Sequence, residues 1–102
     1  MITIKIYKDR DNIASIQLDA DGEAQDISSL TRVTMTLGDL LVDSSLHSGV
    51  FDWTTYGSDG QLDIAAGHVS KLQTGQFTSQ VTVYDATYPN GLVWDEMIVN
   101  VE

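Results

Sequence analysis

A chain of 102 residues with 42% hydrophobic residues is long enough to bury one core and too apolar to remain disordered. It contains no cysteine, which excludes disulfide staples and zinc–thiolate sites. Fifteen acids against five bases give a net charge of −10, the wrong sign for nucleic acid or an anionic membrane surface, so neither is an expected partner.

Ile2, Ile4 and Ile6 alternate with polar residues and predict a first strand, too strictly alternating for a signal peptide; together with the strand-like end at Asn100–Glu102 this reads as a complete small gene product. After the charged turn Lys8–Asn12, the shared parity of Ala14, Ile16 and Leu18 predicts a second strand, closed by Asp19-Ala20-Asp21-Gly22. Ile27–Leu30 reads as a loop or short edge piece. Val33, Met35 and Leu37 alternate with Arg32, Thr34 and Thr36, an inside/outside pattern, and Gly38-Asp39 turns the chain into Leu40–Val42. Val50–Thr54 follows a loop, Ser58-Asp59-Gly60 is a turn, and Leu62 with Ile64 marks another strand. Ala65–Leu72 fits either a helical turn or a wide loop crossing between sheets.

The last third is the clearest segment. Phe77, Val81 and Val83 on one arm and Met97, Val99 and Val101 on the other flank Pro89-Asn90-Gly91, a hairpin whose arms both alternate. Val93 and Asp95 share the parity of Met97, which turns Trp94 outward unless a bulge near Asp95-Glu96 resets the register; the bulge is the expected outcome. The whole pattern predicts an all-β fold, an immunoglobulin-like antiparallel β-sandwich of seven to nine strands with under about 10% helix, in a single domain spanning 1–102. Its expected core is Ile4, Ile16, Leu18, Val33, Met35, Leu37, Phe51, Leu62, Phe77, Val81, Val83, Val99 and Val101.

Candidates for chemistry are sparse. The acidic turn Asp19–Asp26 holds oxygen ligands of the kind Ca²⁺ takes but lacks the glycine and final glutamate spacing of an EF-hand, and reads as a solvated turn. His47 and His68 stand in no metal-binding spacing, no Gly-x-Ser-x-Gly elbow surrounds Ser48, and pairs of carboxylates among fifteen acids arise by chance. No cofactor and no catalytic residue is expected. Trp53, Tyr56, Tyr88 and Trp94 are the residues from which a sugar-binding platform would be built, with Trp53 also reading as core.

The most suggestive feature is where charge is missing. Thr34 and Thr36 on one predicted strand, and Thr78, Gln80, Thr82 and Tyr84 on another, point outward without an acid among them. If the two strands are neighbours, they form a neutral face on a highly acidic protein, a composition suited to an interface centre.

Three segments carry a family resemblance: Asp26-Ile27-Ser28-Ser29-Leu30-Thr31-Arg32-Val33, Gly60-Gln61-Leu62, and Leu72-Gln73-Thr74-Gly75-Gln76-Phe77 leading to Val83-Tyr84-Asp85 and Gly91-Leu92-Val93-Trp94. Over residues 26–101 the chain resembles small immunoglobulin-like proteins of tailed bacteriophages. Phe77 stands where the corner tyrosine of antibody domains would be and Ser79 where their second cysteine would be, which sets it apart from disulfide-bonded domains. The resemblance implies a non-enzymatic virion structural protein, a capsid decoration or head–tail or tail accessory. Its expected partners are other virion subunits, a capsid or tail protein, with a homo-oligomer also open. The expected location is the outer capsid surface or the tail, away from packaged DNA, after synthesis in the host cytoplasm. A carbohydrate-binding or adhesin-type sandwich module is the alternative.

Overall fold

The computed structural model describes residues 2–102 and is almost entirely β, with 49% of residues in strands and 3% in helix. Ten strands follow in chain order: β1 (Ile2–Ile6), β2 (Ala14–Gln17), β3 (Asp19–Ala20), β4 (Glu23–Ala24), β5 (Arg32–Leu37), β6 (Leu40–Asp43), β7 (Phe51–Asp52), β8 (Gln61–Ile64), β9 (Gly75–Tyr84) and β10 (Leu92–Val101). One 3₁₀ turn, Gly57–Asp59, precedes β8. A five-stranded sheet in the order β1-β10-β9-β5-β6 stacks on a three-stranded sheet, β2-β8-β7, while β3 and β4 form a separate small hairpin. Both main sheets keep free edges, so the fold is a sandwich and not a closed barrel.

The strand order is that of an immunoglobulin-like sandwich. The run β6-β5-β9-β10 corresponds to C′-C-F-G and β2-β8-β7 to B-E-D. Two expectations are corrected. There are ten strands where seven to nine were read, because the acidic turn after Leu18 folds back as the β3–β4 pair. The sandwich is also not wholly antiparallel: β1 runs parallel to β10, with Ile2 opposite Met97 and Ile6 opposite Val101. A parallel pair needs a long crossover between its strands, and nearly the whole chain separates these two.

Alternation decides most of the core. Val33, Met35, Leu62 and Val99 have no exposed surface, and Ile4, Ile16, Leu18, Leu37, Phe51, Val81, Val83 and Val101 are buried with them. Phe77 is the exception: it is only half-buried, packed against the core from its rim. It stands near the start of β9, at the end of the sandwich where the β5–β6 turn passes, and its ring lies against Gly38. Ser79, two residues on, takes the fully buried place that the period assigns to this strand, and its hydroxyl has no hydrogen-bond partner.

Ala65–Leu72 is a loop and not a helix. It advances by two successive turns, Val69 N–H donating to Ala66 O and Leu72 N–H to Val69 O, which bury Ala66, Val69 and Leu72 as it crosses to β9. The bulge in β10 is present but lies one residue earlier than expected. Trp94 and Asp95 together face Val81, so the register shifts between Val93 and Asp95. Trp94 is thereby half-buried against the core, and Met97, Val99 and Val101 face inward.

The hairpin joining β9 to β10 is closed by Asp85, whose carboxylate accepts the N–H groups of Thr87 and Tyr88 at 2.9 and 2.7 Å. Gly91 has φ +90°, and a Cβ there would meet the Tyr84 ring at 2.6 Å, so the turn depends on glycine for both conformation and space.

Candidate functional site

The outer face of the large sheet is assembled from β5, β6, β9 and β10, and the pairing brings the six candidate residues together. Arg32 lies opposite Tyr84 and Thr34 opposite Thr82 across the β5–β9 ladder. Beyond Met35 the backbone ladder stops, and the Thr36 hydroxyl accepts the Gln80 N–H at 2.9 Å in its place. Thr78 and Gln80 are exposed; Thr36, Thr82 and Tyr84 are half-buried.

Thr34 is different: it reads outward by alternation yet is only 4% exposed. The cause is its neighbours. Thr34 sits opposite Asp43 on one side and Thr82 on the other, and Arg32 precedes it by two residues on the same face. The Arg32 guanidinium engages Asp43 through both nitrogens, Nε to Oδ1 at 2.9 Å and Nη2 to Oδ2, while its carbon lies 4.7 Å from the centre of the Tyr84 ring. This fork-and-ring cluster closes over the short threonine.

The face is therefore not free of acid, as β5 and β9 alone suggested. Asp43 of β6 belongs to it, buried and neutralised by Arg32, and Glu96 of β10 stands exposed opposite Gln80. The bidentate Arg32 contact holds the Asp43 carboxyl below the ordinary carboxylate range against the opposing effect of burial, with the Ser45 N–H adding a bond at 2.9 Å. Asp43 is the residue that reading the sequence missed. The signal was present: a two-residue turn at Gly38-Asp39 puts Leu37 opposite Leu40 and so, counting outward, Thr34 opposite Asp43.

The remaining candidates are scattered. His47 Nδ1 accepts the Asp43 N–H at 3.1 Å and orders the turn after β6. His68 pairs with Asp11 at 2.6 Å between the loops that follow β1 and β8, both side chains being well exposed. In the acidic turn, Asp26 takes the N–H and hydroxyl of Ser28, which lower its pKa. Asp52 accepts bonds from Thr55 and Thr54, side chain and backbone, and its pKa is lowered to about 2. The four aromatics do not form one platform. Trp53 donates Nε1–H to Leu30 O at 2.9 Å and leans on the core, Trp94 lines a separate depression, and Tyr56 and Tyr88 are exposed in different loops.

Charge is unevenly placed around this face. The loops and strand ends beside Tyr84 carry Asp19, Asp21, Glu23, Asp26, Asp59 and Asp85, with Arg32, already held by Asp43, as their one cation. Lys8, Arg10 and Lys71 lie at the opposite end, among Asp9, Asp11 and Asp39. The net negative charge is thus concentrated at one end of the sandwich, while the outer face of the large sheet carries exposed Glu96 beside otherwise uncharged β9 residues and the self-neutralised Arg32–Asp43 pair. Compared with known proteins, the chain matches no family model and no curated protein sequence.

Proposed function

We propose that this protein is a non-enzymatic virion structural protein of the tailed-bacteriophage kind, a capsid decoration or a head–tail or tail accessory, that binds a capsid or tail subunit. The observation that carries this reading is the centre of the large sheet: exposed Thr78 and Gln80 beside half-buried Thr36, Thr82 and Tyr84, next to an Arg32–Asp43 pair that cancels its own charge. Such a surface brings hydroxyl and amide groups to a partner, with Glu96 beside Gln80 as an exposed charge at its border. The acidic loops at one end keep the free protein soluble and away from packaged DNA, which favours the outer capsid surface or the tail.

The test places charge on the two exposed positions. Thr34→Glu is unsuitable, because it would bury a second carboxylate beside Asp43. Thr78→Glu with Gln80→Glu should leave thermal melting close to that of the parent, since both residues are exposed. Mixed with virions or purified capsid and tail subunits lacking this protein, the double mutant should show at least a tenfold loss of occupancy, about 1.4 kcal/mol. Full occupancy by the folded mutant would overturn the reading, and retention on a glycan array would replace it with sugar binding.

A further inference from the structure

A second surface lies at the open side of the sandwich, away from the neutral face. In the immunoglobulin arrangement the sheet that holds B, E and D carries a fourth strand, A, beside B. Among the described residues the corresponding sheet stops at β2, which pairs with β8 and has no paired strand on its other side. Leu18 N–H donates to Gly60 O on the β8 side, so in the alternating antiparallel ladder the N–H and C=O of Gln17 point to the open side. The facing sheet is open at the same level: among the described residues β1 first pairs with β10 at Met97, and Leu92–Asp95 have no paired neighbour on that side.

Between these two open edges is a cleft of about 150 Å³ with a largely apolar lining, including Ile16, Leu18, Trp94 and Met97. Its volume suits an apolar side chain. The β10 bulge creates the cleft's wall by turning Trp94 toward it, and Asp19 and Asp95 stand at its border with no Lys or Arg lining it.

We propose that the β2 edge accepts an extended segment of a partner protein beside β2, with an apolar side chain of that segment in the cleft and Lys or Arg residues of the segment against Asp19 and Asp95. Main-chain bonds to the edge supply affinity, the cleft selects an apolar residue, and the acidic border selects basic flanks. This docking is independent of the outer-face contact, which lies on the other side of the large sheet.

The probe is the peptide acetyl-Lys-Val-Lys-Val-Lys-Val-Lys-amide, titrated into the whole protein and followed by ¹⁵N–¹H NMR. Expected are shifts at Ile16–Asp19 and at the Trp94 indole, slowed exchange of the Gln17 amide, and at least tenfold weaker binding when the peptide lysines become Glu or its valines become Ser. Asp19→Asn with Asp95→Asn should weaken the lysine peptide about tenfold. Gln17→Pro removes the open-side donor and spares the β8 ladder, so it should keep the fold and weaken peptide binding at least tenfold. Shifts confined to another surface, equal binding of the glutamate peptide, an unaffected Gln17→Pro variant, or occupation of the cleft by a second copy of this chain would each overturn the proposal. The outer-face variant Thr78→Glu with Gln80→Glu should bind the peptide normally, which separates failure here from failure there.

Discussion

The middle of the five-stranded sheet and its edge beside β2 are made from the same kind of alternating apolar strand, yet they end in opposite states. Val33 and Met35 on β5 have no exposed surface, whereas Ile2 on β1 is 41% exposed and Trp94 on β10 is half-buried. Hydrophobicity does not separate them. Neighbours do: β5 and β9 have a paired strand on both sides, while β1 and β2 each end a sheet. Pairing on both sides seals β5, while on the edge strands Ile4, Ile6 and Ile16 are buried and Ile2 is left open, and what an edge leaves open is where a partner can be received.

The sharpest way to break this comparison is to truncate one apolar residue in each region. Met35→Ala should cost about 3–5 kcal/mol, a large share of the stability of a domain this size. Ile2→Ala should cost under about 1 kcal/mol. Denaturant midpoints measure both, and equal losses would show that the edge is as tightly packed as the middle.

The buried ion pair comes next. Arg32→Ala leaves the Asp43 carboxylate buried with the Ser45 N–H as its remaining donor, and should cost about 2–3 kcal/mol, below the full penalty for breaking a buried pair because Arg32 is itself partly solvated. Asp43→Asn should soften the loss in the Arg32→Ala background, a coupling that a double-mutant cycle reads directly.

Phe77→Ala tests the end of β9. Since the ring is half-buried at the rim of the core, its loss should cost about 2 kcal/mol, less than a fully buried phenylalanine would. A cost as large as that of Met35→Ala would mean that the rim packs as the centre does.

Acid titration separates two carboxylates held by their hydrogen bonds. Both Asp43 and Asp52 have folded-state pKa values below the ordinary value, Asp52 falling from 3.8 to about 2. The stability they contribute is complete above about pH 4 and is lost as the pH falls through the folded-state values. Asp52→Asn should therefore flatten the decline of the melting temperature between pH 4 and pH 2 relative to the parent; an unchanged slope would remove Asp52 from the account.

The smallest effect is expected at Ser79. Its buried hydroxyl has no partner, so Ser79→Ala removes a desolvated group and should be neutral or stabilise by up to about 1 kcal/mol. A loss above that would reveal a bond made by the hydroxyl.

Local pattern was sufficient for the strands of the two main sheets and for twelve of the thirteen expected core residues, because period-two alternation states which side of a strand is apolar without reference to the rest of the chain. It was sufficient, too, for the hairpin at Pro89-Asn90-Gly91, since alternating arms with their turn residues carry their own register, whereas the meeting of Thr34 with Thr82 required that β5 and β9 become neighbours. What alternation does not encode is the identity of a strand's neighbours. Only the folded sheet made β1 the parallel partner of β10, lowered the Arg32–Asp43 pair onto Thr34, and left β2 without a strand beside it. These are contacts between segments far apart in the chain or between faces of adjacent strands, and their energies depend on which surfaces meet once the two sheets have closed.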